Sequence, residues 1–313
     1  MTALSVSHIS KSFGSKLAVD DLSFSVAEGE TFGFLGGNGA GKTTSLRMML
    51  DIIPPDRGEI RVLGRPAARE NATQIGFLPE ERGLYRNMTA LDTLIYFGRL
   101  KGLSGTDARS RGLALLERFG LSGEARKNIA SFSKGMAQKV QIATALINRP
   151  RLLMLDEPFS GLDPINQALL EDEILRASRE GAAVLFSTHI MQHAERLCDR
   201  LLILVKGRKR FEGTLSEALA GVSGNVTLSC RADPTALADV AEAHIAVSEH
   251  ASDPEWKPWS VALKPGRTAA DLLETCTREG FALRSFELPR PTLHDAFIAI
   301  AGTTSASGPE YPA

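Results

Sequence analysis

Residues Gly36-Gly37-Asn38-Gly39-Ala40-Gly41-Lys42-Thr43 fill every required position of the pattern Gly-x4-Gly-Lys-Thr. Thr31 to Leu35 just before them reads as a buried strand, and Ser45 to Leu50 just after opens as a helix, so the glycines fall at a strand-to-helix turn. Glycine lets the backbone curl until several N–H groups point at one anion, and the new helix adds the positive end of its dipole. The stretch predicts a nucleoside triphosphate site, with Lys42 on the β- and γ-phosphates, the Thr43 hydroxyl on Mg²⁺ and Thr44 extending the cradle.

Such a site needs carboxylates. Leu152-Leu153-Met154-Leu155-Asp156-Glu157 is an apolar strand ending in two of them. Asp156 at the strand tip can hold Mg²⁺ opposite Thr43, and Glu157 is placed to polarise the water that attacks the γ-phosphate.

Composition narrows the setting. At 313 residues the length suggests about two domains, and 43 % hydrophobic content suffices for a sizeable core. With 36 basic and 37 acidic residues the net charge is −1, so no overall field draws the chain to nucleic acid. Cys198, Cys230 and Cys276 are odd in number and widely spaced, which fits neither a disulfide framework nor a zinc site and suits a reducing cytoplasm. The start lacks the basic and apolar regions of a signal peptide, and no apolar run approaches the ~18 residues of a membrane span, so a soluble protein is expected.

Leu4 to Ile9 and Leu22 to Val26 alternate like half-buried strands and predict an antiparallel sheet. Leu152 to Leu155, Ala183 to Ser187 and Leu201 to Val205 are continuous apolar runs, as in a parallel sheet covered on both faces. Between about Arg82 and Arg149 helical spacing dominates (Leu113, Leu116 and Phe119; Val140, Ala143 and Ala145), predicting an inserted helical subdomain. From about residue 220 to 302, segments at Asn225 to Cys230, Ala236 to Ala243, His244 to Ser248, Ser260 to Leu263, Thr268 to Glu279 and Leu283 to Leu288 give the order βαββαβ, followed by a helix from Thr292 to Ile300. A small ferredoxin-like α+β domain is expected there, and Thr303 to Ala313 reads as a disordered tail.

With its two nucleotide motifs in place, the chain resembles the ATP-binding-cassette family, specifically the cytoplasmic ATPase subunits of transporters, over nearly the first 215 residues. Phe132-Ser133-Lys134-Gly135-Met136 falls where that family carries its Leu-Ser-Gly-Gly-Gln signature. Ser160-Gly161-Leu162-Asp163 looks like its D-loop, His189 like its switch histidine, and Phe13 stands where an aromatic stacks on adenine. The resemblance implies a P-loop NTPase core of α/β class with an antiparallel β subdomain and a helical subdomain. It also implies that Ser133, Gly135 and Met136 serve ATP held by a second ATPase subunit, making ATP a glue between two copies or two related subunits. Hydrolysis would then drive integral membrane permease subunits from the inner face of the membrane, and the stretch Pro79 to Tyr85 with the C-terminal Pro289 to Phe297 looks like exporters of drugs, sodium or small hydrophobic compounds.

Three departures from the family pattern matter. Glu80 occupies the usual glutamine position of the Q-loop, where a carboxylate can approach Mg²⁺ and the attacking water while adding negative charge. Lys134 and Met136 replace glycine and glutamine of the signature, and Gly37 replaces a frequent proline with little expected consequence. The alternative class, soluble ATPases of translation, repair or chromosome handling, carries two cassettes or long insertions that this chain lacks. His189 and His193 sit four apart without a third ligand, which argues against zinc, and Lys206-Gly207-Arg208-Lys209-Arg210 reads as an exposed hairpin loop rather than a nucleic-acid contact. Leu84, Tyr85 and Met88, expected to be exposed, could dock a helix of the membrane partner.

Overall fold

The computed structural model describes residues 1–66, 68–81, 83–220, 222, 226–231, 237, 240–244, 255–264, 267–288 and 291–302. They cluster into two compact units, one built on Met1–Leu215 together with the last described residues from Ile300, and the other on Ser216–Ala299.

In the first unit, β1 (Thr2–Phe13) and β2 (Lys16–Ala27) run antiparallel, β3 (Thr31–Leu35) leads through the glycine loop into α1 (Lys42–Met49), and β4 (Arg57–Val62) pairs back onto β1. β5 (Ile75–Leu78) precedes three helices, α2 (Ala90–Leu100), α3 (Gly105–Arg118) and α4 (Lys134–Leu146). The chain then alternates β6 (Leu152–Asp156), α5 (Pro164–Arg179), β7 (Ala183–Thr188), α6 (Met191–Leu197), β8 (Arg200–Val205) and β9 (Arg208–Gly213). The main sheet has the order β5-β6-β7-β3-β8-β9, parallel except for the last strand, and a smaller sheet has the order β2-β1-β4.

The continuous apolar runs follow from burial on two sides. Leu152 and Met154 of β6 and Ala183 and Leu185 of β7 face a core shared with α1 and the antiparallel sheet. Their neighbours Leu153, Leu155, Val184 and Phe186 face a second core filled by the helical insertion. Phe24 of β2 stacks on Phe32 and Phe34 of β3 at centroid separations of 5.4 and 5.6 Å, joining the two sheets. Thr89, Ser104, Ser133 and Asp163 cap α2, α3, α4 and α5 through their side-chain oxygens.

Several expectations need correction. Lys206 and Gly207 form the expected hairpin turn, but Arg208 to Arg210 already belong to strand β9, where Arg208 pairs with Asp20 and Lys209 with Glu212. Of the helical stripe expected on α3, Leu116 and Phe119 are buried together with Leu115, and Leu113 alone is exposed. Leu84 packs into the helical core and Met88 is half buried; of the three residues expected to be exposed, only Tyr85 is.

The second unit opens within α7 (Leu215–Leu219), so the division falls four residues before the expected 219. Its strands β10 (Val226–Cys230), β11 (Ala241–His244), β12 (Lys257–Leu263) and β13 (Leu283–Glu287) pair antiparallel in the order β11-β12-β10-β13. The helix expected over Ala236 to Ala243 is thus a strand from Ala241, paired with Ala262 and its neighbours; most of its first half, and the strand expected beyond His244, lie outside the described residues. α8 (Ala269–Arg278) turns Leu272 and Cys276 into the core beside Val226, Leu228 and Val261, and α9 spans Leu293–Gly302. The tail expected over Thr303 to Ala313 is likewise outside the described residues, as are Pro289 and Arg290.

Candidate nucleotide site

The glycine loop leaves β3 and enters α1 through Gly41, whose φ of 106° belongs to the left-handed region. A Cβ there would stand 2.5 Å from the Ala18 carbonyl oxygen, so glycine is required both by conformation and by space. No side chain caps α1, and its first internal bond runs from Ser45 N–H to the Gly41 carbonyl. The N–H groups of Lys42, Thr43 and Thr44 are therefore left for an anion. A methyl group at Gly37 would meet nothing within 4 Å, which accords with the small consequence expected from its replacing proline.

Lys42 is 6 % exposed and donates to the carbonyls of Gly36 at 2.7 Å and Gly37 at 3.3 Å. Its ammonium also lies 3.1 Å from Glu157 Oε1. The other carboxylate oxygen of Glu157 is 2.9 Å from His189 Nδ1. Glu157 itself has a φ of 47°, rare for a residue with a side chain, and its N–H donates to Ser187 Oγ at 3.0 Å. Ser187 in turn donates to Asp156 Oδ1 at 2.6 Å, so β7 fixes the Asp156 carboxylate and the Glu157 backbone at the tip of β6.

A cavity of about 610 Å³ gathers loop residues Asn38 to Thr44 with Phe13, Glu80, Glu157 and His189. Phe13 is half exposed at the end of β1, with the Lys11 ammonium 5.9 Å from its ring centroid. Asp156 lines an adjoining cavity of about 380 Å³ shared with Glu80 and Glu157. Sequence reasoning missed Lys16, Ala18 and Ser187 at this site: the first two arrive from the antiparallel sheet and the last from β7, with no local motif to mark them. Ser133, Gly135 and Met136 do not line this cavity. Ser133 begins α4 and accepts the Met136 N–H at 3.2 Å, while Met136 packs partly into the helical core. A methyl group at Gly135 would stand 3.3 Å from Asn166 Nδ2 in the first turn of α5. His193 is spent elsewhere, stacked on Phe159 at 3.8 Å and 2.9 Å from Glu171.

A buried lysine beneath a glycine loop, facing a strand-tip carboxylate, is an arrangement that can bind phosphate and activate water. The model of the ABC transporter family matches residues 19–160. The ABC transporter ATP-binding protein YhaQ of Bacillus subtilis (strain 168) is 38 % identical over 304 residues, covering 96 % of this chain and 98 % of its own. The chain belongs to the ABC transporter ATP-binding family. It is thus an ATP-hydrolysing subunit that powers transport. The Nod factor export ATP-binding protein I of Paraburkholderia xenovorans (strain LB400) is 41 % identical over 241 residues, covering 76 % of this chain and 79 % of its own. Among solved structures, an ATP binding subunit of an ABC transporter is 35 % identical with a TM-score of 0.66, covering 70 % of this chain and 92 % of that one. The ABC fold expected for the first 215 residues is borne out by these matches.

Proposed function

We propose that this ABC subunit binds ATP with its adenine on Phe13 and its phosphates on the loop from Gly36 to Thr44, and that Glu157 is the general base. The observation that carries the reading is the Lys42–Glu157–His189 chain inside the glycine-lined cavity. Lys42 neutralises phosphate charge, Glu157 takes a proton from the attacking water, and His189 orients Glu157 and follows the charge at the γ-phosphate. The Thr43 hydroxyl, Asp156 and Glu80 form an all-oxygen donor set of the hardness Mg²⁺ takes. Bound there, Mg²⁺ would neutralise charge on the phosphate oxygens.

Ser133, Gly135 and Met136 lie outside their own chain's cavity, at the open start of α4, which supports assigning them to ATP held by a second copy or a closely related subunit. Among the described residues no helix is long and apolar enough to cross a membrane. Integral membrane permease subunits then form the pathway, with this subunit on the cytoplasmic face. The name of the export-type relative supports outward transport.

Two measurements test this. Lys42→Ala should weaken ATP binding at least tenfold and abolish turnover; undiminished turnover would remove the site. Pull-down of the intact chain from detergent extract should bring a multispanning membrane protein with it, and a soluble partner alone would refute the transporter assembly.

A further inference from the structure

The face of α4 beneath Ser133 carries two buried glutamines one turn apart, Gln138 and Gln141, 8 and 5 % exposed. Each amide spans two backbone carbonyls. Gln138 Nε2 donates to Pro158 O at 3.2 Å and Ser160 O at 3.3 Å, in the segment that follows Glu157. Gln141 Nε2 donates to Pro79 O at 3.3 Å and Glu81 O at 3.0 Å, the two carbonyls that flank Glu80. With two carbonyl oxygens facing each amide, only the NH₂ group can point at them. Gln138 Oε1 is buried with no protein partner among the described residues.

Two further observations give the clamps a purpose. Glu157 is held at a φ of 47°, a conformation that persists in a non-glycine residue only where its surroundings over-determine it. Ser187 fixes the Glu157 N–H from one side, and Gln138 fixes the carbonyls one and three residues further on. The same helix begins at Ser133, outside the chain's own nucleotide cavity.

We propose that Gln138 and Gln141 are positioning residues that yoke the loops bearing Glu157 and Glu80 to α4, so that one helix sets both acidic groups and reports to them what happens at its own N-terminus. A leucine in place of either glutamine would fill the space and donate nothing. A displacement of α4 is delivered to both loops at once, because the donors are on one rigid helical face. The proposal rests on the reading of Glu157 and Glu80 as groups of the hydrolytic site.

Gln138→Met and Gln141→Met in the full chain test it, since methionine keeps the length and removes both donors. Each should lower kcat for ATP about 10- to 100-fold, the scale of a misplaced catalytic group, while the Kd of a fluorescent ATP analogue stays within twofold. Rates are expressed per nucleotide-binding site, so partial misfolding does not imitate the effect. Gln138→Asn, which keeps the amide but is one methylene too short, should give the same split between kcat and Kd in the mildest background. Adding Gln138→Met to Glu157→Gln should cost no further rate, because the clamp acts through Glu157. Unchanged kcat per site, a lowered melting temperature alone, or losses that multiply in the double variant would each overturn the proposal. Failure of the nucleotide-site reading is seen separately, as ATP binding and turnover that survive Lys42→Ala.

Discussion

Glu157 stands between two nitrogens, Lys42 Nζ at 3.1 Å and His189 Nδ1 at 2.9 Å, and is nearly buried. Removing its charge removes the base while leaving the glycine loop and Lys42 to hold phosphate. Glu157→Gln should therefore keep ATP affinity and slow hydrolysis about 10²- to 10⁴-fold, the range for losing a positioned general base. ATP that persists should hold two subunits together; gel filtration with ATP that finds only nucleotide-loaded monomer would count against the shared-phosphate arrangement. At this scale the sequence was informative where chemistry is local. Gly36 to Thr43 lie in one turn, and the Lys42 ammonium reaches the Gly36 and Gly37 carbonyls six and five residues back. The Lys42–Glu157 contact joins residues far apart in the chain, and Ser187 reaches Asp156 from a neighbouring strand; neither spacing has a sequence signature.

The elements make two predictions. At the head of α4, Ser133→Arg places a bulky cation where a partner's phosphates are assigned and also removes the cap on the Met136 N–H, costing about 1 kcal/mol. Binding of ATP to the variant's own loop should stay within about twofold while turnover collapses; equal loss of both, in a nucleotide titration run beside an ATPase assay, would mean that Ser133 serves its own chain. In the second unit, α8 and α9 start on Thr268 with Asp271 and Thr292 with Asp295. Hydrogen bonds from the Thr268 N–H and hydroxyl hold the Asp271 carboxyl below the usual carboxylate range, and those from the Thr292 hydroxyl and N–H do the same for Asp295. Both groups titrate lower folded than unfolded, so the stability they contribute is complete above about pH 4 and is lost as pH falls through the folded values. The chain's two tryptophans, Trp256 and Trp259, are both in this unit and report on it. Their fluorescence should show a melting temperature that drops on acidification below pH ~4, and drops less in Asp271→Ala/Asp295→Ala; equal drops would exclude the capping carboxylates as the cause. Elements misread from sequence failed for physical reasons. The alanine-rich Ala236 to Ala243 favours helix by propensity, yet from Ala241 its pairing with β12 prevails. β9 hides because its first residues are three cations on a sheet edge.

For the whole molecule, the unanswered need is attachment to a membrane pathway. Tyr85 is 54 % exposed and meets Tyr96 of α2 edge to face at 5.7 Å, while Tyr96 meets Phe97 at 5.5 Å, so an aromatic ledge stands where Leu84, Tyr85 and Met88 were expected to be exposed together. Rigid aromatics are the residues that anchor interfaces. Tyr85→Ala should lower recovery of the membrane partner at least tenfold in pull-down while shifting the melting temperature little; undiminished recovery would place docking elsewhere. Architecture was legible wherever a run is apolar on both faces, as in β3, β6 and β7, and illegible wherever two distant segments share one face.

The start of α4 also shows how finely two helices are spaced. Gly135 is not needed for backbone conformation, since its φ is not positive, and alanine in a helix is worth up to about 1 kcal/mol over glycine. What a methyl group meets there is Asn166 Nδ2 at 3.3 Å, the amide that also bonds Asp163 Oδ2 at the cap of α5. The width of one methyl group thus acts as the gauge that sets how near the two helix starts can come, and in Gly135→Ala the gain in helix propensity is offset by the crowded Asn166 amide, so the melting temperature should move little while turnover slows.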